Sequence, residues 1–301
     1  MRALAAFIMR GRSQAVLVVA ISAALSLFLP PLSYISGAGA ALITLRHGAR
    51  EGLFVTFAAA LILGLVGAVT LGNPSPGLAF LAAVGLPLWL LGWVLRATVS
   101  LPLTLSVAAL LGVMLILGLH VLVPDLTVWW RGLLDIVLKP ALEQSGVTDA
   151  AQWLDELARA MTALLASAML LSWMLSLFIA RWWQALLYNP GGFRREFHGL
   201  HLNRALAVPT LILLALALFV KGEIGVLAAE ILAVMLVLYM MQGLALAHRT
   251  VAKRGAHVGW LVALYGLLTL ALPQVGAVLA AMGFADTWLS ARHAHGNQPK
   301  S

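Results

Sequence analysis

The chain reads as an all-α, polytopic integral membrane protein with about nine transmembrane helices, its amino terminus cytoplasmic and its carboxyl terminus periplasmic. Three observations lead there. Apolar residues fill 62% of 301 positions and charged ones only 10%, against roughly half and a quarter in a soluble domain. Apolar segments close to the ~20 residues that span a bilayer recur along the whole length. The basic residues collect in alternate gaps between those segments, as positive-inside ordering demands. A net charge of +8 is then a matter of topology, and no contiguous basic face suggests nucleic acid. With no cysteine, disulfides, thiolate metal sites and cysteine nucleophiles are excluded.

Segment 14–30 follows Arg2, Arg10 and Arg12 and forms the first span. Ala38-Gly39-Ala40 could pass for a signal-peptide cleavage site. Cleavage would leave Arg46 and Arg50 near a new amino terminus on the translocated side, so the span reads as uncleaved. Pro30 and Pro31 separate it from segment 32–45, which is short and rich in small residues; a half-helix is the alternative to a full crossing. Segment 53–71 carries Ala60, Gly64, Ala68 and Gly72 every four residues, a stripe suited to close packing within the chain. Segments 77–95 and 101–123 follow, the latter with fourteen Leu, Ile or Val residues and His120 near one end. Residues 124–156 form a periplasmic amphipathic segment, with Trp129, Trp130, Leu133, Val137 and Leu138 on the outer leaflet. Asp149, three residues before Gln152, suggests a capping box that starts a helix over 149–180.

Residues 181–204 read as a cytoplasmic interfacial loop. Trp182, Trp183, Leu186 and Leu187 share one helical face, as belt residues do. Asn189-Pro190-Gly191-Gly192 forces a turn. Phe193, Phe197 and Leu200 then oppose Arg194, Arg195 and His198, which describes a short helix on anionic headgroups. Segments 205–220, 224–247 and 258–282 complete nine spans in a single helical membrane domain over 1–284, with 285–301 as a disordered tail. Alternation puts Arg2, Arg10, Arg12, Arg46, Arg50, Arg96, Arg181, Arg194, Arg195, Arg204, Arg249, Lys253 and Arg254 inside, thirteen of the 19 basic residues. Arg131, Lys139, Arg159, Lys221, Arg292 and Lys300 fall outside.

Glu196, His198 and His201 invite a metal, but the His-Glu-x-x-His pattern is absent and no third ligand is indicated, so no metal and no cofactor are expected. No nucleophile elbow, phosphate-binding glycine loop or dinucleotide fingerprint occurs, and the chain does not read as an enzyme. Glu230 is the one candidate for substrate binding inside the membrane. It lies seven residues past Glu223 in an apolar helix and needs a partner or a wet cavity. The candidate partner-binding surface comprises Trp182, Trp183, Tyr188, Asn189, Gly191, Gly192, Arg194, Glu196 and His198, with Arg50 and Glu51 of the tight turn after segment 32–45.

The run Arg181-Trp182-Trp183-Gln184, Leu187-Tyr188-Asn189-Pro190-Gly191-Gly192-Phe193 and Glu196-Phe197-His198 resembles the YybS-like family of bacterial membrane proteins, which carry a domain of unknown function. Leu29-Pro30-Pro31 with Ser33, Ser36 and Gly37 is similar too, as is the turn holding Arg46, Gly48, Arg50, Glu51 and Gly52, so the resemblance covers most of the chain. That family's core is similar to the substrate-binding S components of energy-coupling-factor transporters, which capture vitamins or metal-ion substrates. The resemblance implies a bacterial inner-membrane protein with a transporter-type, small-molecule-binding core. Nine spans depart from the six typical of S components. The alternative is a non-catalytic membrane scaffold or assembly factor that binds a protein partner through the cytoplasmic loop. The expected partners are the lipid bilayer and either a small-molecule substrate or a membrane protein.

Overall fold

The structure, a computed structural model, describes residues 1–144 and 149–296, and every regular element among them is helical. Five helices among the described residues are long and apolar enough to cross a membrane: Ala49–Leu71, Ser75–Thr98, Leu101–Leu122, Ala150–Tyr188 and Glu223–Lys253. Shorter apolar helices pack among and beside them.

Helix α1 (Arg2–Ile8) and helix α2 (Arg12–Leu25) open the chain. Helix α3 (Leu32–His47), doubtful as a crossing on sequence grounds, is the hub of this half: every residue from Ser36 to Leu45 is buried. Its small residues are the cause. A methyl group at Gly37 would come within 2.5 Å of Leu88, and one at Gly39 within 2.9 Å of Val19, so neighbouring helices reach the α3 backbone itself. Ser36 adds a hydrogen bond to the Val19 carbonyl at 2.8 Å. Helix α4 (Ala49–Leu71) turns its Ala60 and Gly64 to the start of α5 (Ser75–Phe80), where a methyl on Gly77 would strike the Ala60 carbonyl oxygen. The small-residue stripe thus serves intramolecular packing at these two positions.

Helix α5 passes through a π turn, Leu81–Gly85, into α6 (Leu86–Thr98). Pro87 explains the irregularity, because it has no N–H for the Ala83 carbonyl four residues back. Trp173 Nε1 donates to that oxygen instead, at 2.7 Å. Helix α7 (Leu101–Leu122) begins at Ser100, whose Oγ accepts from Leu103 N.

The 124–156 segment folds onto the next long helix and leaves Trp129, Leu133 and Val137 exposed. Helix α8 (Leu126–Val137), capped by Asp125, buries Trp130 and Leu134 against Leu154 and Ala158. The short α9 (Lys139–Gln144) follows, and α10 (Ala150–Tyr188) rises as one 39-residue rod. Trp130 Nε1 donates to Thr162 of α10 at 3.0 Å. Asp149 stands at the N-cap of α10 but makes no side-chain cap bond, contrary to the capping-box expectation. The first eight residues of the expected loop, 181–188, are simply the end of α10.

Helix α11 (Gly192–His198) and a 3₁₀ turn, Arg204–Leu206, lead into α12 (Ala207–Phe219). Pro209 sits in the first turn of α12, where its missing N–H costs nothing. A tight turn through Gly222 (φ +81°) then starts α13 (Glu223–Lys253). The expected last span breaks at Ala271 (φ −139°, ψ 53°) into α14 (Gly259–Leu270) and α15 (Leu272–Gly296). Helix α15 lies directly on α13: methyl groups at Gly243 and Gly283 would strike the carbonyl oxygens of Leu279 and Tyr239.

One expectation changes here. Residues 285–296 belong to α15 instead of a disordered tail, and Asp286 and Thr287 are buried; residues 297–301 lie outside the described part. Arg204 also donates to the carbonyl of Trp288 at 3.1 Å. The start of the carboxyl-terminal segment therefore sits beside the end of the 181–204 segment in the fold.

Candidate functional site

Two polar centres interrupt the apolar body, and α13 contributes to both. In the first, Glu230 lies about 10 Å along α13 from Glu223 at 1.5 Å per residue and is only 5% exposed. Opposite it, in the last turn of α7, His120 places Nε2 3.5 Å from Glu230 Oε2. His120 Nδ1 is 3.1 Å from the Ile116 carbonyl oxygen. A carbonyl oxygen only accepts, so Nδ1 carries a hydrogen and Nε2 is the atom left to face the carboxylate. Oε2 makes no hydrogen bond among the described residues, although buried carboxylate oxygens ordinarily do.

The second centre ties the loop to the helices. Trp182 remains 39% exposed, but Trp183 is fully buried, so the two tryptophans do not share a membrane-facing belt. Gly191 adopts φ +80° and starts α11, a left-handed conformation that glycine holds without Cβ strain. Gly192 is closed in by the Asn189 side chain, and Asn189 Oδ1 accepts from Arg195 at 3.3 Å. Phe193 and Phe197 pack on Phe178 of α10, and Leu200 is buried; the apolar side of α11 therefore meets protein. Glu196 accepts from Arg181 Nε at 2.8 Å and from its Nη2. Arg50 is exposed and Glu51 pairs with Arg12, so neither joins the loop. Arg46 does, with its guanidinium 4.2 Å from the Tyr188 ring centroid.

Beyond α11 the backbone N–H of Leu202 donates to Gln242 Oε1 at 3.0 Å, and Gln242 Nε2 donates to Asp286 at 3.0 Å. Arg249 donates to Asp286 at 2.9 Å and to His201 Nε2 at 2.8 Å. Arginine only donates, so His201 Nε2 accepts, and its Nδ1, 2.9 Å from the Gly199 carbonyl, holds the hydrogen. His201 is therefore neutral, and its 3.8 Å approach to Asp286 is not an ion pair. Glu196, His198 and His201 do not converge, and no group of three metal-ligating side chains does so among the described residues. His198 is held below its ordinary value near 6.5, first by burial and then by Arg194 and Arg249.

His120, Arg249, Gln242 and Asp286 escaped sequence reasoning as site residues. Gln242 and Asp286 did carry a signal, as isolated polar residues in apolar helices. No protein-family model, curated protein or solved structure matches the chain.

Proposed function

We propose that the protein is a multi-pass bacterial inner-membrane protein whose helical core binds and carries a small molecule, with Glu230 and His120 as its ionisable centre. The observation that carries this reading is a carboxylate, buried on α13, with one histidine partner and an oxygen without a hydrogen bond. An ionisable group at the centre of a membrane helix costs about 3 kcal/mol and persists mainly where it handles protons, ions or substrates. That oxygen, the one facing His120, still has its acceptor capacity for a proton or for a donor group on a ligand. The likeness of the Arg181 to His198 run to the YybS-like family supports the same class.

With the start of the carboxyl-terminal segment beside the end of the 181–204 segment, we propose eight crossings and two cytoplasmic termini. Arg292 and Lys300 then join the thirteen basic residues already inside, which sharpens the charge asymmetry. A scaffold role is the second reading, favoured by the rigid loop that presents Trp182, Tyr188 and Arg194.

Native mass spectrometry of the detergent-solubilised protein distinguishes them. A small molecule retained by the wild type and lost from Glu230→Gln at equal protein level supports transport. A stoichiometric protein partner, with no small molecule in either form, overturns it.

A further inference from the structure

Between α11, α13 and α14 lies a cleft of about 430 Å³, with Arg194, His198 and His248 on its walls and no carboxylate among its lining residues. The acidic groups nearest in the fold are committed elsewhere, Glu196 to Arg181 and Asp286 to Arg249 and Gln242. Arg194, the one formal charge on the cleft wall, thus has no acidic partner there.

A second groove of about 460 Å³ runs between α13 and α14 along Ala247, Leu264 and Leu267, apolar apart from Thr250 and Arg254. The two spaces share Val251, Ala256 and Leu261. They adjoin along these residues, one walled by Arg194, His198 and His248 and the other mostly apolar. Helix α14 buries none of its residues, and Trp260 and Val262 stand about 70% exposed, as expected of a helix bordered by hydrocarbon.

We infer that this surface binds an anionic phospholipid, with the phosphate among Arg194, His198 and His248 and a hydrocarbon chain in the groove between α13 and α14. A free phosphate would leave the groove unfilled, and a neutral lipid would leave Arg194 unbalanced. Only a molecule that is anionic at one end and apolar at the other complements both. His198 faces Arg194 on its own helix and Arg249 and His248 on α13, with Tyr265 of α14 bonded to His248 at 2.8 Å. Burial first, then Arg194 and Arg249, hold the His198 ring below its ordinary value, and an anion placed here offsets the two cationic contributions.

The test uses the full chain in detergent, titrated with phosphatidic acid, phosphatidylcholine or inorganic phosphate, with retention read by native mass spectrometry. Phosphatidic acid should be retained about tenfold better than phosphatidylcholine, a difference of about 1.4 kcal/mol. The Arg194→Ala/His198→Ala pair should abolish that preference. Ala263→Trp, at an exposed groove position, should weaken retention of phosphatidic acid about tenfold while its unfolding temperature stays that of the wild type. Equal retention of the two lipids overturns the inference. So does displacement of phosphatidic acid by inorganic phosphate together with full retention in Ala263→Trp, which would mark a site for free phosphate.

Discussion

Glu230 and Asp286 are both buried carboxylates at the surface of α13, and they are treated in opposite ways. Asp286 accepts from Arg249 and Gln242, and Gln242 in turn accepts from the backbone of Leu202. Glu230 has one histidine at 3.5 Å and an oxygen with no hydrogen bond. A satisfied network specifies a unique packing, whereas a partly satisfied one is costly and persists where chemistry or binding needs it. The difference assigns Asp286 to holding the loop and Glu230 to the proposed transport role.

The contrast can be broken most directly at Asp286. Asp286→Ala strands Arg249 and Gln242 and should cost about 2–4 kcal/mol, below the top of the buried-pair range because Arg249 is partly solvated. Thermal unfolding in detergent reads it, and an unchanged midpoint would remove Asp286 from the structural side of the comparison. Next in size is Gly191→Ala, which forces a side chain to φ +80° and should cost about 1–2 kcal/mol. The same melt checks it. Glu230→Gln keeps the shape and removes the charge, so stability should change by less than about 1 kcal/mol while small-molecule retention disappears. Glu230→Gln with a large loss of stability would make both carboxylates structural.

The smallest effect concerns pH. His198 sits below its ordinary value near 6.5 because of burial and then Arg194 and Arg249. The unfolded chain therefore takes up this proton before the folded chain does. The stabilisation is complete above 6.5 and declines as the pH falls through that value toward the lower folded one. His198→Gln should remove part of the drop in unfolding temperature between pH 7 and 5.

The membrane class was legible because it depends on composition and segment length, which no tertiary contact can override. Gly191 and its turn were legible too, since a left-handed residue followed by a short helix is a local matter. The importance of α3 was not, because Ser36 to Leu45 look too small and too few until the helices they admit are in place. Glu230 declared itself as an acid in apolar surroundings, but its partner did not, since His120 lies on a different helix and its distance along the chain carries no pairing signal. Trp183 misled for a similar reason: the pattern at 182–187 marks an amphipathic helix without saying which side meets protein. The polar tail after 285 resembled a solvated end because Gln242 and Arg249, which pair with Asp286 and Thr287, lie far back in the chain on α13.

The bond from Arg204 to the Thr287 carbonyl spans 83 residues of chain, which has a consequence in time. A ribosome adding about 5–20 residues per second needs about 4–17 s to make that stretch. Until then the 198–204 segment has its contacts with Gln242 and Arg249, and both of those lack Asp286. Helix α15 also has to seat Gly283 against the Tyr239 backbone, a fit that exists only after α13 is in place. The loop is therefore the last part of this half to become fixed, although it is among the first to be made, and chains stalled before Asp286 should carry it exposed to proteases.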